Sequence, residues 1–370
     1  MSRVTAFDTA DVRFPTSLSL DGSDAMNPDP DYSAAYLRIS TDAADGLAGH
    51  GFVFTIGRGN EVQVAAIEAL RERFAGRDVE ELLADMGAVW RELVHDSQLR
   101  WLGPEKGVMH MAVGAVVNAL WDLKAKRAGL PLWNFLGGND PRVPCYAGGI
   151  DLDLSLEALL QQTDGNLAKG FRAIKMKVGR PDLASDVARV QAMRTHLGDG
   201  FPLMADANMK WTVEEAIRAA RALQPCDLTW LEEPIIPDDV AGHARILEAG
   251  GVPIAAGENL RSLWEFKNYI AAGAVSYPEP DVTNCGGVTA FMKIARLAEA
   301  FNLPVTSHGA HDVTVHLLAA CPNRSYLEAH GFGLDRYIEH PLVLEQGMAL
   351  APMRPGHGIS FDWKGLAQLA

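Results

Sequence analysis

Eight short apolar runs, each followed by a helical stretch, recur through the second half of this chain and limit what it can fold into. They span 145–150, 171–178, 202–208, 228–234, 253–258, 275–280, 304–309 and 325–328. Short runs bounded by turn formers and alternating with helices are the pattern of parallel strands. Eight such units argue for a parallel β/α barrel, an α/β fold. An open doubly wound sheet is the alternative. It would usually carry a glycine-rich phosphate turn after its first strand, and none is present.

The first 140 residues have a different rhythm. Strand-like runs at Val12–Phe14, 32–39 and 51–56 are interrupted at 21–30 by turn formers, which read as a functional loop. Helices follow at 61–74, with Asn60 as N-cap, and at 79–95. A longer helix carries the stripe Val108, Met111, Ala112, Ala115, Val116, Ala119, Leu120 and Leu123, closed by Gly129-Leu130-Pro131. Strands followed by a helical bundle make this an α+β unit.

The charge balance restricts the partners. With 33 basic and 47 acidic residues the formal net charge is −14, so nucleic acid and anionic membrane are poor partners. The most apolar stretch, 109–123, is about one turn short of a bilayer span and contains Asn118. The first residues, MSRVTAFDTADVRF, lack the apolar core of a signal peptide. Cys145, Cys226, Cys285 and Cys321 are too scattered to suggest a zinc site or a disulfide framework. A cytoplasmic enzyme or binding protein is expected.

The chemistry gathers at the ends of the runs. Lys175 and Lys177 stand two apart in one strand, so both ammonium groups leave it on the same face. Alone, such a pair describes a solvated edge strand; buried, it needs partners. Asp206, Glu232 and Glu258 close three successive runs at intervals of 26 residues. One such acid would simply cap the next helix, but three in one barrel mouth repel each other unless a cation neutralises them. Oxygen-only ligands with room for water and substrate favour Mg²⁺ over zinc or iron. Asp281 and His308 end the next two runs, and an aspartate beside a histidine makes a general acid or base. An isolated buried histidine would more simply be a core residue; a place across the acids from the lysines favours chemistry. Glu328 ends the eighth run, free to face the same mouth. His311, Asp312 and His316 follow too closely for all to be ligands, and read as loop and helix residues.

In this order and spacing, Lys175-x-Lys177, Asp206, Glu232, Glu258, Asp281, His308 and Glu328 resemble the enolase superfamily, in its mandelate racemase branch. The resemblance implies a modified (β/α)₇β TIM-type barrel over 141–340. An α+β capping domain, 1–140, would cover it, and the tail 341–370 would return to the cap. It also implies one Mg²⁺ per subunit, held by Asp206, Glu232 and Glu258, and the superfamily's established Lys or His base. Lys177, its pKa lowered by Lys175 and the metal, would take the proton α to a carboxylate. His308, held by Asp281, would protonate the departing β-hydroxyl, while Lys175 and Glu328 hydrogen-bond the carboxylate. The product would be a 2-keto-3-deoxy acid.

Four stretches of the first domain look like L-fuconate dehydratases: 14–16, 22–36, 54–60 and 96–107. This likeness places an acid sugar, an aldonate, against Gly22, Ser23, Asp24, Tyr32 and Asn208. The chain departs from that pattern in two places. Only 24 residues separate Ile150 from Lys175, where those enzymes carry a long insertion, and Met209-Lys210 replaces the usual Gln-Arg. A racemase or epimerase, or a cycloisomerase expelling an internal oxygen, would share the same site. A non-enzymatic scaffold would have let the site decay, yet every position is filled. A homo-oligomer is expected.

Overall fold

The computed structural model describes residues 2–14, 23–27, 31–103, 105–330 and 334–366. Strands β1 (Val4–Phe14), β2 (Tyr32–Thr41) and β3 (Ala48–Thr55) form an antiparallel sheet in sequence order. One face, with Phe7, Leu37, Ile39 and Val53, packs on helices α1 (Asn60–Glu68), α2 (Val79–Ala84), α3 (Met86–Val94) and α4 (Gly107–Arg127). Gly49 and Gly51 of β3 lie directly on the Ala119 and Ala115 carbonyls of α4, leaving no space for a Cβ.

Two local expectations fail here. Asn60 does not cap α1, whose N-cap is the left-handed Gly59. Its amide instead donates to Asp11 at 2.5 Å and accepts from Thr55 Oγ1 at 2.6 Å, tying α1 to the sheet. The expected helix over 79–95 is two helices, because Asp85 is extended and its side chain caps α3 through Ala88 N.

After α5 (Leu132–Phe135) the barrel begins. Its eight parallel strands are β4 (Arg142–Gly148), β5 (Ile174–Lys177), β6 (Leu203–Asp206), β7 (Trp230–Glu232), β8 (Ile254–Ala256), β9 (Tyr277–Pro278), β10 (Val305–Ser307) and β11 (Arg324–Glu328). Helices α6 (Leu156–Ala168), α7 (Leu183–Leu197), α8 (Val213–Leu223), α9 (Val240–Gly250), α10 (Leu263–Ala271), α11 (Gly287–Ala300) and α12 (His311–Ala319) connect them. The ladder runs β10-β11-β4-β5-β6-β7-β8-β9, and among the described residues none joins β9 to β10. This is the nearly closed (β/α)₇β barrel that the sequence implies. The strands are shorter than the apolar runs, so Glu258, Asp281 and His308 stand in the loops just beyond them.

Alternation along each strand separates two environments. Met176, Leu203, Ala205 and Leu231 face outward and pack with α7 and α8 residues such as Val190, Ala216 and Ile217. Tyr146, Met204 and Trp230 face inward and plug the barrel floor together with Tyr277 and Tyr326. Trp230 sits 5.0 Å from Tyr277 and 5.6 Å from Tyr146, centroid to centroid. The inward positions nearer the mouth hold Lys175, Lys177, Asp206 and Glu232.

The chain then adds β12 (Val343–Glu345) and β13 (Met348–Leu350), the latter antiparallel to β4. Beyond it, His357 N donates to Asp122 of α4 at 3.0 Å, and Trp363 of α13 (Trp363–Leu366) stacks on His50 of β3. All four cysteines are buried and unpaired. Among the described residues no helix is long and apolar enough to cross a membrane.

Candidate active site

Strand register sets the level of the site. Lys177 pairs with Asp206 across β5–β6, and Asp206 with Glu232 across β6–β7, so three inward side chains share one layer. Lys175 lies one inward position deeper. Its ammonium is 2.5 Å from Glu232, 2.9 Å from Glu328 and 3.8 Å from Asp206, and its side chain is 1% exposed. Burial opposes its charge, but Glu232 and then Glu328 outweigh burial and hold Lys175 well above the usual lysine range. The same contact, with His308, holds Glu328 below the usual carboxylate range against burial.

Lys177 faces the cavity with Asp206 at 2.5 Å. The expected lowering of its pKa is not what this arrangement gives. Burial and Lys175 both lower it, but the Asp206 carboxylate wins and raises it above 10.5. The reason is geometric: Asp206 is bonded to Lys177, whereas Lys175 is turned toward Glu232 and Glu328.

Asp206, Glu232 and Glu258 each bring a carboxylate oxygen within 4.8 Å of the others'. Gly257, at φ +152° against the Glu279 backbone, makes the turn that carries Glu258 beyond β8 into this group. Burial pushes Glu232 up to about 8, with Lys175 opposing and Asp206 and Glu258 adding to the rise. Burial also raises Glu258, against the pull of His308. Glu232 Oε2 is held by Trp230 Nε1 at 2.9 Å, and Asp206 Oδ1 by Asn208 N at 2.9 Å. An all-oxygen, mutually repelling trio with supported second oxygens fits a hard divalent cation such as Mg²⁺.

Across the mouth, His308 Nδ1 donates to Asp281 Oδ2 at 2.8 Å. Asp281 Oδ1 accepts from Thr283 N and Oγ1 at 2.6 and 2.7 Å, which fixes the carboxylate. His308 Nε2 lies 3.6 Å from Glu258 and 3.8 Å from Glu328. Burial disfavours the imidazolium, but Glu258, Glu328 and Asp281 together outweigh it and raise the pKa well above 6.5.

Lys177, Glu258, His308 and Glu328 line a cavity of about 320 Å³ whose opposite wall comes from the cap. Asp24, Tyr32 and Asn208 line it too. Ser23 does not; it is buried behind, its carbonyl accepting from Leu152 N at 3.0 Å. Gly22 lies outside the described residues. His311 stands 3.2 Å from Asp312 and 3.4 Å from the exposed Asp335, a separate charge group outside the cavity.

Several residues at the site escaped the sequence reading. Asp151, 1% exposed, accepts from the Lys177 backbone N–H at 2.9 Å and fixes the end of β5. His330 lines the cavity beside Tyr32, and Arg261 and Asn284 line it from the loops after β8 and β9. Arg261, Asn284 and His330 each follow a strand-end acid within a few residues, and Asp151 follows the end of β4; position after a strand end is the one signal that could have found them.

Comparison with known proteins agrees with this architecture. Residues 25–137 match the mandelate racemase / muconate lactonizing enzyme N-terminal domain, and residues 158–365 the enolase C-terminal domain-like family. The chain is 49% identical over 360 residues to a 3,6-anhydro-alpha-L-galactonate cycloisomerase of Streptomyces coelicolor, covering 97% of this chain and 96% of that one. It is 36% identical over 417 aligned positions to an L-galactonate dehydratase of Hypocrea jecorina, covering 96% and 91%. A racemase structure from Streptomyces coelicolor with bound magnesium superposes with TM-score 0.93 at 48% identity, covering 99% of each chain. An L-talarate dehydratase from Polaromonas, complexed with Mg and L-glucarate, gives 0.87 at 33% identity, covering 100% and 97%.

Proposed function

The chain belongs to the mandelate racemase/muconate lactonizing enzyme family of the enolase superfamily, and from that premise we propose that it is a Mg²⁺-dependent cycloisomerase of a 3,6-anhydro-aldonate. The observation that carries the reading is the pairing of Lys177 and His308. Each is held by its own carboxylate, and both face one cavity beside the acid trio.

Asp206, Glu232 and Glu258 would hold the Mg²⁺. When bound, the ion would supply positive charge that competes with Lys177 for the Asp206 carboxylate, favouring the neutral amine that a base must be, and that would steady a substrate carboxylate as negative charge grows on it. Lys177 Nζ then takes the proton from the carbon α to that carboxylate. The electron pair left behind forms the new double bond as the β carbon–oxygen bond breaks. His308 Nε2 gives its proton to the departing oxygen, with Asp281 holding the ring in place. Lys175, buried between Glu232 and Glu328, adds positive charge beneath the carboxylate and fixes those two acids. When the departing oxygen belongs to the 3,6-anhydro ring, nothing leaves. The enol tautomerises to a 2-keto-3-deoxy acid isomeric with the substrate.

Two facts favour a ring oxygen over a free hydroxyl. The cycloisomerase of Streptomyces coelicolor matches this chain nearly end to end. Aligning the L-galactonate dehydratase takes 417 positions, so that relative has residues which this 370-residue chain lacks. The cavity also carries Met26, Ile56, Met111 and Met209, apolar surface that suits a compact ring with fewer hydroxyls. Dehydration of an open-chain aldonate, L-fuconate included, is the second reading, since the same acid and base would serve a β-hydroxyl. We take 1–140 as cap, 141–340 as barrel and 341–370 as tail in either case.

The test is to incubate the Mg²⁺-loaded protein separately with 3,6-anhydro-L-galactonate, L-galactonate and L-fuconate. 2-Keto acid formation is assayed and product mass recorded. Keto acid of unchanged mass from the anhydro acid supports the proposal. Turnover of the open-chain acids alone would make the protein a dehydratase, and inversion at the α-carbon without keto acid a racemase.

A further inference from the structure

Resting on the reading of Lys177 as the base, we propose that Asp151 is a positioning residue for that base. It stands where a strand partner is missing and fixes the backbone from which Lys177 reaches the substrate. The ladder between β4 and β5 stops at Gly148 and Lys175, whereas that between β5 and β6 runs on to Lys177 and Asp206. Lys177 is thus paired to a strand on one side only. Its N–H donates instead to Asp151 Oδ1 at 2.9 Å, so a side-chain oxygen does the work of a β4 carbonyl. Asp151 is 1% exposed and does not line the cavity.

The acceptor is itself held rigidly. Arg189 of α7 donates to the Asp151 carbonyl at 3.0 Å and to the Leu154 carbonyl at 2.7 Å, with Nη2 3.8 Å from Asp151 Oδ1. Arg180 reaches the Leu152 and Leu154 carbonyls at 2.5 and 3.0 Å. From the cap side, Leu152 N donates to the Ser23 carbonyl at 3.0 Å. Gly149 completes the seat, since a Cβ there would run into Asp151 Oδ2. Without the carboxylate the Lys177 N–H would be a buried donor with no ladder partner, and the strand end would shift to relieve it. Any shift there is carried along the side chain to Nζ, and a misplacement of about 1 Å costs on the order of 10²-fold in rate. The bond needs an acceptor at that point rather than a charge, and an asparagine Oδ1 supplies one.

The test compares Asp151→Ala and Asp151→Asn in the Mg²⁺-loaded protein. The substrate is whichever of 3,6-anhydro-L-galactonate, L-galactonate and L-fuconate the parent turns over. kcat, KM and α-deuterium incorporation in D₂O are measured, and Mg²⁺ affinity is read by calorimetry. Asp151→Ala should lower kcat and deuterium incorporation together by about 10–100-fold. KM and Mg²⁺ affinity should stay within about twofold, and Asp151→Asn should recover the rate to within about threefold of the parent. Should the alanine protein not fold, Asp151→Ser, which keeps a polar group but ends one atom short of the Lys177 N–H, takes its place with the same expectation. Truncation that leaves kcat within threefold, or that weakens Mg²⁺ binding in step with the rate, overturns the proposal. So does an asparagine variant as slow as the alanine one, which would make the charge and not the bond responsible. Lys177→Met run alongside tells the two readings apart: exchange retained by that protein sinks the base itself, whereas exchange lost there and kept by Asp151→Ala sinks only the positioning role.

Discussion

Replacing His308 by Asn should stop product formation while leaving α-proton removal intact. The two groups stand apart, each on its own partner. His308 Nε2 faces the cavity from the β10 end, its other nitrogen 2.8 Å from Asp281. Lys177 approaches from β5 on its own partner, Asp206. A positioned acid contributes about 10²–10⁴-fold, or roughly 3–5 kcal/mol at 1.36 kcal/mol per tenfold. The loss should fall toward the larger figure, because an alkoxide is a poor leaving group without a proton. In D₂O the His308→Asn protein should still place deuterium at the α-carbon. Lys177→Met should abolish both exchange and product. Lys175 cannot substitute, being 1% exposed and held between Glu232 and Glu328. The measurements are NMR of recovered substrate and a 2-keto acid assay on both variants. Product from His308→Asn within tenfold of the parent rate, or exchange by Lys177→Met, would refute this division of labour.

Three further outcomes follow from the same structure. Dialysis against EDTA should abolish turnover and Mg²⁺ restore it; Glu232→Gln should raise the Mg²⁺ concentration needed, and full activity of the metal-free protein would end the metal assignment. Half-buried His50 and buried His316 and His357, where β3, α12 and the tail meet, are each held down to about 3, chiefly by burial. The unfolded chain takes up protons below about 6.5 while the folded one does not. The contribution of these three histidines should therefore be flat above that pH and fall as pH drops toward 3, by up to about 2 kcal/mol per histidine at pH 5. Urea midpoints at pH 7 and pH 5 measure this, and His316→Gln should shrink the difference. Finally, Gly51→Ala would drive a methyl into the Ala115 carbonyl of α4, and should cost about 1–3 kcal/mol by thermal or urea unfolding.

Much of the barrel was legible because its signals are local. A run such as 203–206 shows its apolar outer positions and its inward Asp206 within one strand, and turn residues mark where each strand stops. The 26-residue interval from Asp206 to Glu232 to Glu258 is one βα unit, so one dimension of sequence already placed the three acids in one mouth. Lys175 and Lys177 were legible as neighbours on one face for the same reason. Local reading failed where a local cue had a distant competitor. Asn60 has the composition of an N-cap but is taken by Asp11, 49 residues away. The helical pattern over 79–95 hid the extended Asp85.

Spacing within each βα unit was enough to reveal the fold class, the strand-end acids and the kinds of side chain that gather at the mouth. How those charges are shared depended on the folded barrel. Lys175 turns to Glu232, 57 residues away, and Lys177 to Asp206, 29 away. That choice raises the pKa of Lys177, where the lysine pair alone suggested lowering. It likewise set Arg261 and Asn284 on one carbonyl, that of Glu258. Charge and hydrogen-bond energies depend on distances of a few ångströms between strands and loops, and the folded barrel alone sets those distances.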